Sequence, residues 1–528
     1  MISVSNISIF LIGSVTWNIF IFSCIVANVE KAVFQVKASE SISPAPTPSV
    51  DHLKDPEAQC LSQFLTWWWS DEYINTSTSH CNWPGVTCNQ AGKVTELSSY
   101  HEGRIVFQRM NLACLPNLVY LSFYRAGLTG SIPREIGSLS KLTHLDLSRN
   151  RLIGEWPLST LANLSHLFKL DLSFNQLSGP IPSTIGLLKN LVVLDLRENH
   201  FSGPLPSSLG NLTNLSELYL DSNQINGSIP PTLGRLINLS VLDISSNDIS
   251  GSIPLELGNL EHLSHLLISK NKLEGALPPT LGHLIYLKEL DISSNKVNGS
   301  VPLELQNLKN LDTLNLGYNK LQGPIFPSLS GLASLTYLDL SSNHFDGPIG
   351  HDIGNLKQMI KLDLSNNEFS GTMPQQIAQL AGLEHLDLSQ NNLSGSIPTE
   401  MCASLYLLKT LDLSHNFLGG KIPSQLCSMI PLETINLAFN NFSGENNCSS
   451  QYCTDGNLIC VPPYSQTKGN GVISHSEAFI FLHIILPTVS LFCFLFIAFL
   501  LIKKRTFQLF TIKRKQNAQP VCQETKCA

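Results

Sequence analysis

Charge is scarce in this chain. Only 14% of its 528 residues are Asp, Glu, Lys or Arg, and acids outnumber bases 40 to 33. The bases are also unevenly placed. Residues 503–528 hold seven basic side chains and one acidic, a net of +6, so with −7 for the whole chain everything before them sums to −13. An acidic body of this size argues against nucleic acid as a partner and suits a basic ligand. Two segments are nearly devoid of charge: Ile7 to Ala27 has no acidic or basic side chain, and Phe479 to Ile502 has His483 as its one ionisable residue. One-off catalytic side chains are wanting too. Ser, His and Asp are plentiful, but they recur in a fixed frame, where they read as scaffold.

That frame is a leucine pattern repeating every 24 residues, as in LSVLDISSNDISGSIPLELGNL from Leu239 to Leu260. One asparagine recurs in each turn: Asn150, Asn175, Asn199, Asn223, Asn247, Asn271, Asn295, Asn319, Asn343, Asn367, Asn391, Asn416 and Asn440, with steps of 24 except two of 25. An earlier turn, Leu118 to Pro133, carries Ala126 in that slot. LxxLxLxxNxL at this period is the signature of a leucine-rich repeat solenoid. LxxLxL alternates with period two, as a short strand with one buried face does, and neighbouring turns must stack to hide its leucines. The asparagine amide, with two donors and an acceptor, can satisfy backbone groups at a buried bend. In the second half, LxGxIPxxLGxL, glycine (Gly227, Gly251, Gly299) allows backbone closed to other residues, and proline (Pro230, Pro254, Pro302) suits extended chain over helix. The expected fold class is a parallel β-sheet on the concave face, with turns and short 3₁₀ segments outside and little α-helix. Fourteen strands about 4.8 Å apart would line a face roughly 60 Å long.

The LxGxIP half-turn resembles the plant-specific class of leucine-rich repeats. The segment WWWSDEYINTSTSHCNWPGVTCNQAGKVTEL, Trp67 to Leu97, resembles the N-terminal cap of plant leucine-rich repeat receptor-like kinases and receptor-like proteins. Together the matches cover roughly residues 57–445. The resemblance implies that the inner surface binds extracellular peptides or partner receptors, with a co-receptor kinase, and that Cys81 and Cys88 are the paired cap cysteines. The chain departs from the receptor kinases in residues 503–528, which carry no glycine-rich phosphate loop, strand lysine, catalytic-loop aspartate or DFG. No enzyme activity, cofactor or metal is therefore expected of this chain. His344, Asp346, His351 and Asp352 lie on variable slots and turns and are read as surface. Trp67 to Trp69 read as cap core.

Topology follows from the uncharged segments. Residues 1–27 read as a signal peptide, or as an uncleaved anchor, since the first basic residue is Lys31. A spacer (28–56), the cap (57–97), the repeats (98–445) and a C-terminal cap with juxtamembrane linker (446–478) follow. Phe479 to Ile502, 24 residues, reaches about 36 Å as a helix, enough for a hydrocarbon core of roughly 30 Å. The basic cluster Lys503, Lys504, Arg505, Lys513, Arg514 and Lys515 belongs on the cytoplasmic side, solvated or against anionic lipid. Cys493, Cys522 and Cys527 are open to acylation. Ten N-x-S/T sites, Asn75, Asn163, Asn211, Asn214, Asn226, Asn238, Asn298, Asn392, Asn441 and Asn447, all avoid the recurring asparagine, as glycosylation of a secreted chain requires. The pairing of Cys448, Cys453 and Cys460 is open. Cys402 and Cys427 occupy equivalent slots, as stacked thiols or a bridge, and Cys60 and Cys114 have no assignable partner. The expectation is a single-pass type I plasma-membrane protein.

Ligand positions should be those that leave the frame while pointing outward. The mid-strand slot is usually aspartate: Asp146, Asp171, Asp195, Asp243, Asp291, Asp339, Asp363, Asp387 and Asp412. Stacked carboxylates repel by about 1 kcal/mol in water, so counter-cations or serine donors must soften them. The column breaks at Tyr219, Leu267 and Asn315, with Glu217, Asp221, His265, Lys270, Tyr318 and Tyr337 on flanking outward slots. Aromatic anchors mixed with charge make a recognition patch for an extended peptide, against the alternative of drift on an unused surface. The function expected is a receptor-like protein that binds an extracellular peptide or partner receptor and signals through a partner kinase. The alternatives are a truncated receptor kinase or decoy, or a wall-associated inhibitor of microbial pectin-degrading enzymes.

Overall fold

A computed structural model describes residues 55–65, 78–99, 105–155, 160, 163–429, 432–443, 453–454 and 457–460. The leader, the triple tryptophan, the apolar segment Phe479 to Ile502, the basic tail, Asn75, Asn447, Cys448, Cys493, Cys522, Cys527 and the Cys427 side chain lie outside the described residues. Among the described residues no helix is long and apolar enough to cross a membrane.

The chain divides into two compact units, 1–153 and 154–528. The first opens on the α-helix Pro56–Leu65 and an antiparallel pair, Val86–Cys88 with Val94–Ser98. Glu57 ties the helix to this pair, its buried carboxylate accepting the Val94 amide at 2.8 Å. Cys81 and Cys88 stand in disulfide geometry, with Cα atoms 5.4 Å apart. Cys60 and Cys114, which sequence left without partners, are also brought together, with Cα atoms 6.3 Å apart. Their 54-residue separation hid this proximity: the helix and the first repeat meet only in three dimensions. Two parallel strands follow, Tyr120–Ser122 and His144–Asp146, the first in register with Glu96–Ser98.

The second unit stacks twelve three-residue parallel strands, from Lys169–Asp171 through Glu217–Tyr219 to Thr434–Asn436. With the two in the first unit this makes the expected fourteen. Each strand steps 24 or 25 residues along the chain and stays in strict register with its neighbours, as Val193↔Glu217↔Val241 shows. The central leucines, Leu218, Leu242, Leu266, Leu290, Leu314 and Leu338, are wholly buried. Burying a leucine in this way contributes roughly 2 kcal/mol, repeated every turn. The last strand pairs antiparallel with Asn457–Cys460, which places Cys453 opposite Cys460 on the neighbouring strand.

The LxGxIP half forms a second row of parallel strands, such as Gln224–Ser228 against Asp248–Gly251, where sequence indicated only extended chain. Gly227 within it has φ +76°, which a side chain would strain. The row is followed by 3₁₀ turns such as Ser207–Asn211, where a Cβ on Gly210 would fall onto the Thr232 carbonyl of the next turn. α-Helix in this unit is confined to Phe326–Leu329 and Thr399–Ser404 among the described residues.

The recurring asparagine performs the role its chemistry suggests. Asn247 donates to the carbonyls of Leu220 (3.0 Å), Ile244 (3.3 Å) and Ser245 (3.0 Å) and accepts the Ile225 amide at 2.9 Å. It thereby joins its own turn to the preceding one. The residue before it adopts left-handed backbone in every turn although it is never glycine, for example Ser246 at φ 53° and Lys270 at φ 51°. Its amide donates to the next turn, Lys270 to Ser293 at 2.9 Å, which offsets a cost of about 1 kcal/mol. The sequon asparagines Asn163, Asn211, Asn214, Asn226, Asn238, Asn298, Asn392 and Asn441 are all exposed. Asn247→Ala leaves three carbonyls and an amide unmet, so its urea unfolding midpoint should fall by the equivalent of about 1–3 kcal/mol. A midpoint equal to that of the unmodified chain would overturn the buried role.

Candidate functional site

In every xLx strand the two residues flanking the buried leucine point to the opposite face. Register therefore builds two columns in the second unit. One runs Glu217, Val241, His265, Glu289, Thr313, Tyr337; the other runs Tyr219, Asp243, Leu267, Asp291, Asn315, Asp339. Six of the nine residues singled out in the sequence, Glu217, Tyr219, His265, Leu267, Asn315 and Tyr337, share this face and are half-buried. Asp221 lies just beyond its strand. Lys270 and Tyr318 occupy the left-handed slot, φ 51° and 55°, and project as exposed side chains at the edge. The nine thus do not form one pocket. They run along five strand spacings, about 24 Å, with a polar cluster at either end.

At one end Arg197 grips Asp195 through Nε, 3.0 and 2.9 Å from the two carboxylate oxygens, and through Nη2, 2.7 Å from Oδ2. Its guanidinium carbon also lies 4.0 Å from the centroid of the Tyr219 ring, a cation–π contact that pins the ring. Beside it Asp221 is under-satisfied. Ser222 donates to its Oδ2 at 3.3 Å, while Oδ1 is shut from solvent with no hydrogen-bond partner. Burial, then the neighbouring Asp243, push this carboxyl up to about 6, with Asp195 adding to the rise and Arg197 and Ser222 opposing it. Burial also raises Asp195, against the bond from Arg197 and with help from Asp171. The Tyr219 hydroxyl is raised by burial and by Glu217.

The other end mirrors the first. Lys361 Nζ lies 4.8 Å from the Tyr337 ring centroid and donates to its hydroxyl at 3.3 Å. That hydroxyl donates to Asp339 Oδ2 at 3.4 Å. Burial disfavours the Lys361 charge, but Tyr337, Asp339 and Asp363 outweigh it and raise its pKa.

The aspartate column is half-buried, and buried at Asp195, where sequence placed it in the open. The expected softening is present and local. Ser148, Ser173, Ser245, Ser341, Ser365 and Ser414, each two residues on in the same turn, donate at 2.6–2.7 Å to their aspartates. Sequence reading missed Arg197 and Lys361. A signal existed for Arg197, since it replaces the serine that recurs in this slot; Asp221 does so one turn later. Lys361 sits in a variable column and carries none. His344 faces Glu368 at 3.2 Å and His351 faces Gln376 at 2.8 Å, so the two are engaged separately.

Comparison with known proteins agrees with this architecture. Leucine-rich repeat family models match residues 285–345 and, in nine segments, 141–164, 166–188, 190–212, 214–236, 238–260, 262–284, 358–380, 382–404 and 407–429. Two similar curated proteins come from Arabidopsis thaliana. The LRR receptor-like serine/threonine-protein kinase GSO2 is 40% identical over 118 residues, and phytosulfokine receptor 1 is 37% identical over 119. Each alignment takes in 22% of this chain but only 7% and 10% of those proteins. Among solved structures, a TDR receptor superposes with TM-score 0.60 at 37% identity, covering 62% of this chain and 56% of that one. The Arabidopsis HAESA ectodomain in complex with an IDA peptide hormone lengthened at its N-terminus superposes with TM-score 0.55 at 31% identity, covering 75% of each chain. The peptide hormone receptor RGFR1, in complex with RGF2, gives 0.54 at 30%, covering 69% and 68%.

The titration of Asp221 has a stability consequence. Its folded pKa, about 6, lies above the ordinary 3.8, so the folded state holds its proton more tightly than the unfolded chain does. That contribution is full below pH 3.8 and is lost as pH rises through 6. Asp221→Asn should raise the unfolding midpoint at pH 7.5 by the equivalent of about 1 kcal/mol, discounted for partial solvent screening, and by much less at pH 5. A pH-independent difference would contradict this.

Proposed function

Since the chain belongs to the plant leucine-rich repeat receptor-like kinase and receptor-like protein family, we propose that it is a plasma-membrane receptor whose repeat face binds an extracellular peptide and whose output passes through a co-receptor kinase. The observation that carries this reading is the break in the aspartate column. Tyr219, Leu267 and Asn315 interrupt that column, and a second pinned tyrosine, Tyr337, stands in the variable column beside it. Rigid aromatic anchors amid charge are what a recognition surface needs. The neighbours support it by analogy, since HAESA and RGFR1 are solved with peptide hormones, and HAESA also with the co-receptor SERK1.

Membrane anchorage by Phe479 to Ile502, removal of residues 1–27, glycosylation at the exposed sequons and a partner kinase in place of chemistry in this chain belong to the same proposal. So do disulfides Cys81–Cys88 and Cys60–Cys114, which suit an oxidising exterior. Peptide mapping without reductant should recover both linkages, and recovery of free Cys60 and Cys114 would remove the second. For ligand binding, peptides retained from plant extracellular fluid by the purified full chain should lose at least tenfold in affinity when Tyr219→Ala and Tyr337→Ala are combined. Undiminished binding would move the site elsewhere.

A further inference from the structure

Resting on that reading, we infer that the face between the two pinned tyrosines seats an extended, basic peptide segment of about seven residues. The two cation–ring contacts are oppositely placed. Arg197 lies two residues past Val193–Asp195, the strand before Tyr219, and Lys361 opens the strand after Tyr337. The two cations therefore flank this stretch from outside, one turn beyond each ring. Between them lie four strands, Val241–Asp243, His265–Leu267, Glu289–Asp291 and Thr313–Asn315. Five spacings of about 4.8 Å separate the rings, and an extended chain at about 3.3 Å per residue covers that distance in roughly seven residues.

Charge selects the occupant. Glu217, Asp221, Asp243, Glu289 and Asp291 face this interval or its edge, none with an ion-pair partner among the described residues. Asp243 and Asp291 are held in place by the Ser245 and Ser293 amides, each at 3.0 Å, so they present fixed charge. The two cations at the ends are already engaged, Arg197 by Asp195 and Lys361 by the Tyr337 hydroxyl. An acidic ligand would find them occupied. A basic side chain set beside Tyr219 meets Asp243 in register, with the Asp221 carboxylate two residues past Tyr219. Leu267, two strands further, breaks the aspartate column with an apolar contact and suits an aliphatic side chain at the centre of the segment.

The test uses the full chain in detergent and a library of capped heptapeptides, each position fixed in turn as lysine, glutamate, leucine or serine. The expected result is a preference of about tenfold or more for lysine over glutamate near one end, with leucine preferred at the centre. Asp221→Asn combined with Asp243→Asn should cut the lysine preference below about threefold, while Tyr219→Phe, which keeps the ring, should retain it. Both aspartate changes relieve like-charge repulsion, and an unchanged circular dichroism spectrum confirms that the variant folds. Affinity should rise from five-residue to seven-residue probes and then level off. Equal binding of lysine and glutamate peptides, or a preference that survives the double aspartate variant, would overturn the inference. Peptides that bind but ignore both tyrosine-to-alanine changes would overturn it while leaving peptide perception intact. Retention of no peptide at any length by folded protein, or capture only of a folded partner domain, would sink both readings.

Discussion

No single turn of this chain can bury its own leucines or close its own backbone hydrogen bonds, and the whole architecture answers that one constraint. The three-residue strands are too short to be stable alone. Each is sheltered by the turn before and the turn after. The asparagine ladder makes this mutual, because one side chain closes a bend in its own turn and binds the backbone of the preceding one. Asn247, with bonds to Leu220, Ile244 and Ile225, is a hinge pin between two turns.

The same constraint explains why function collects on the face that the core does not use. The buried face is fixed at leucine in turn after turn, and the bends are fixed at asparagine and glycine. Only the outward strand slots and the left-handed slot can change side chain without unseating a neighbour. Stacking then acts on whatever occupies them. A tyrosine in the aspartate column becomes a platform because an arginine stands one turn away. An aspartate in the serine column loses its hydroxyl donor and shifts its titration, as Asp221 does.

Much of the fold was legible because a repeat turns a tertiary contact into a periodic one. The strand frame, the 3₁₀ turns and the buried asparagine follow from period, amide chemistry and proline placement alone. The second sheet row was not legible, since glycine and proline conceal strand character that only the neighbouring turn's hydrogen bonds reveal. Nor was the proximity of Cys60 to Cys114, which depends on a helix folding back over 54 residues. Of the candidate face, the deviating residues Tyr219, Leu267 and Asn315 could be read directly. Arg197 was visible as a broken serine slot but went unread.

The sequence by itself determined the repeat, the orientation of each side chain relative to the core and the acidic character of the body, because these depend on spacing and composition. Only the tertiary structure decided which departures from the frame cooperate. Residues 24 apart in the chain become neighbours in register, so Arg197 reaches Tyr219 and Lys361 reaches Tyr337. Those contacts depend on side-chain reach and burial across adjacent strands, which no reading of a single turn contains.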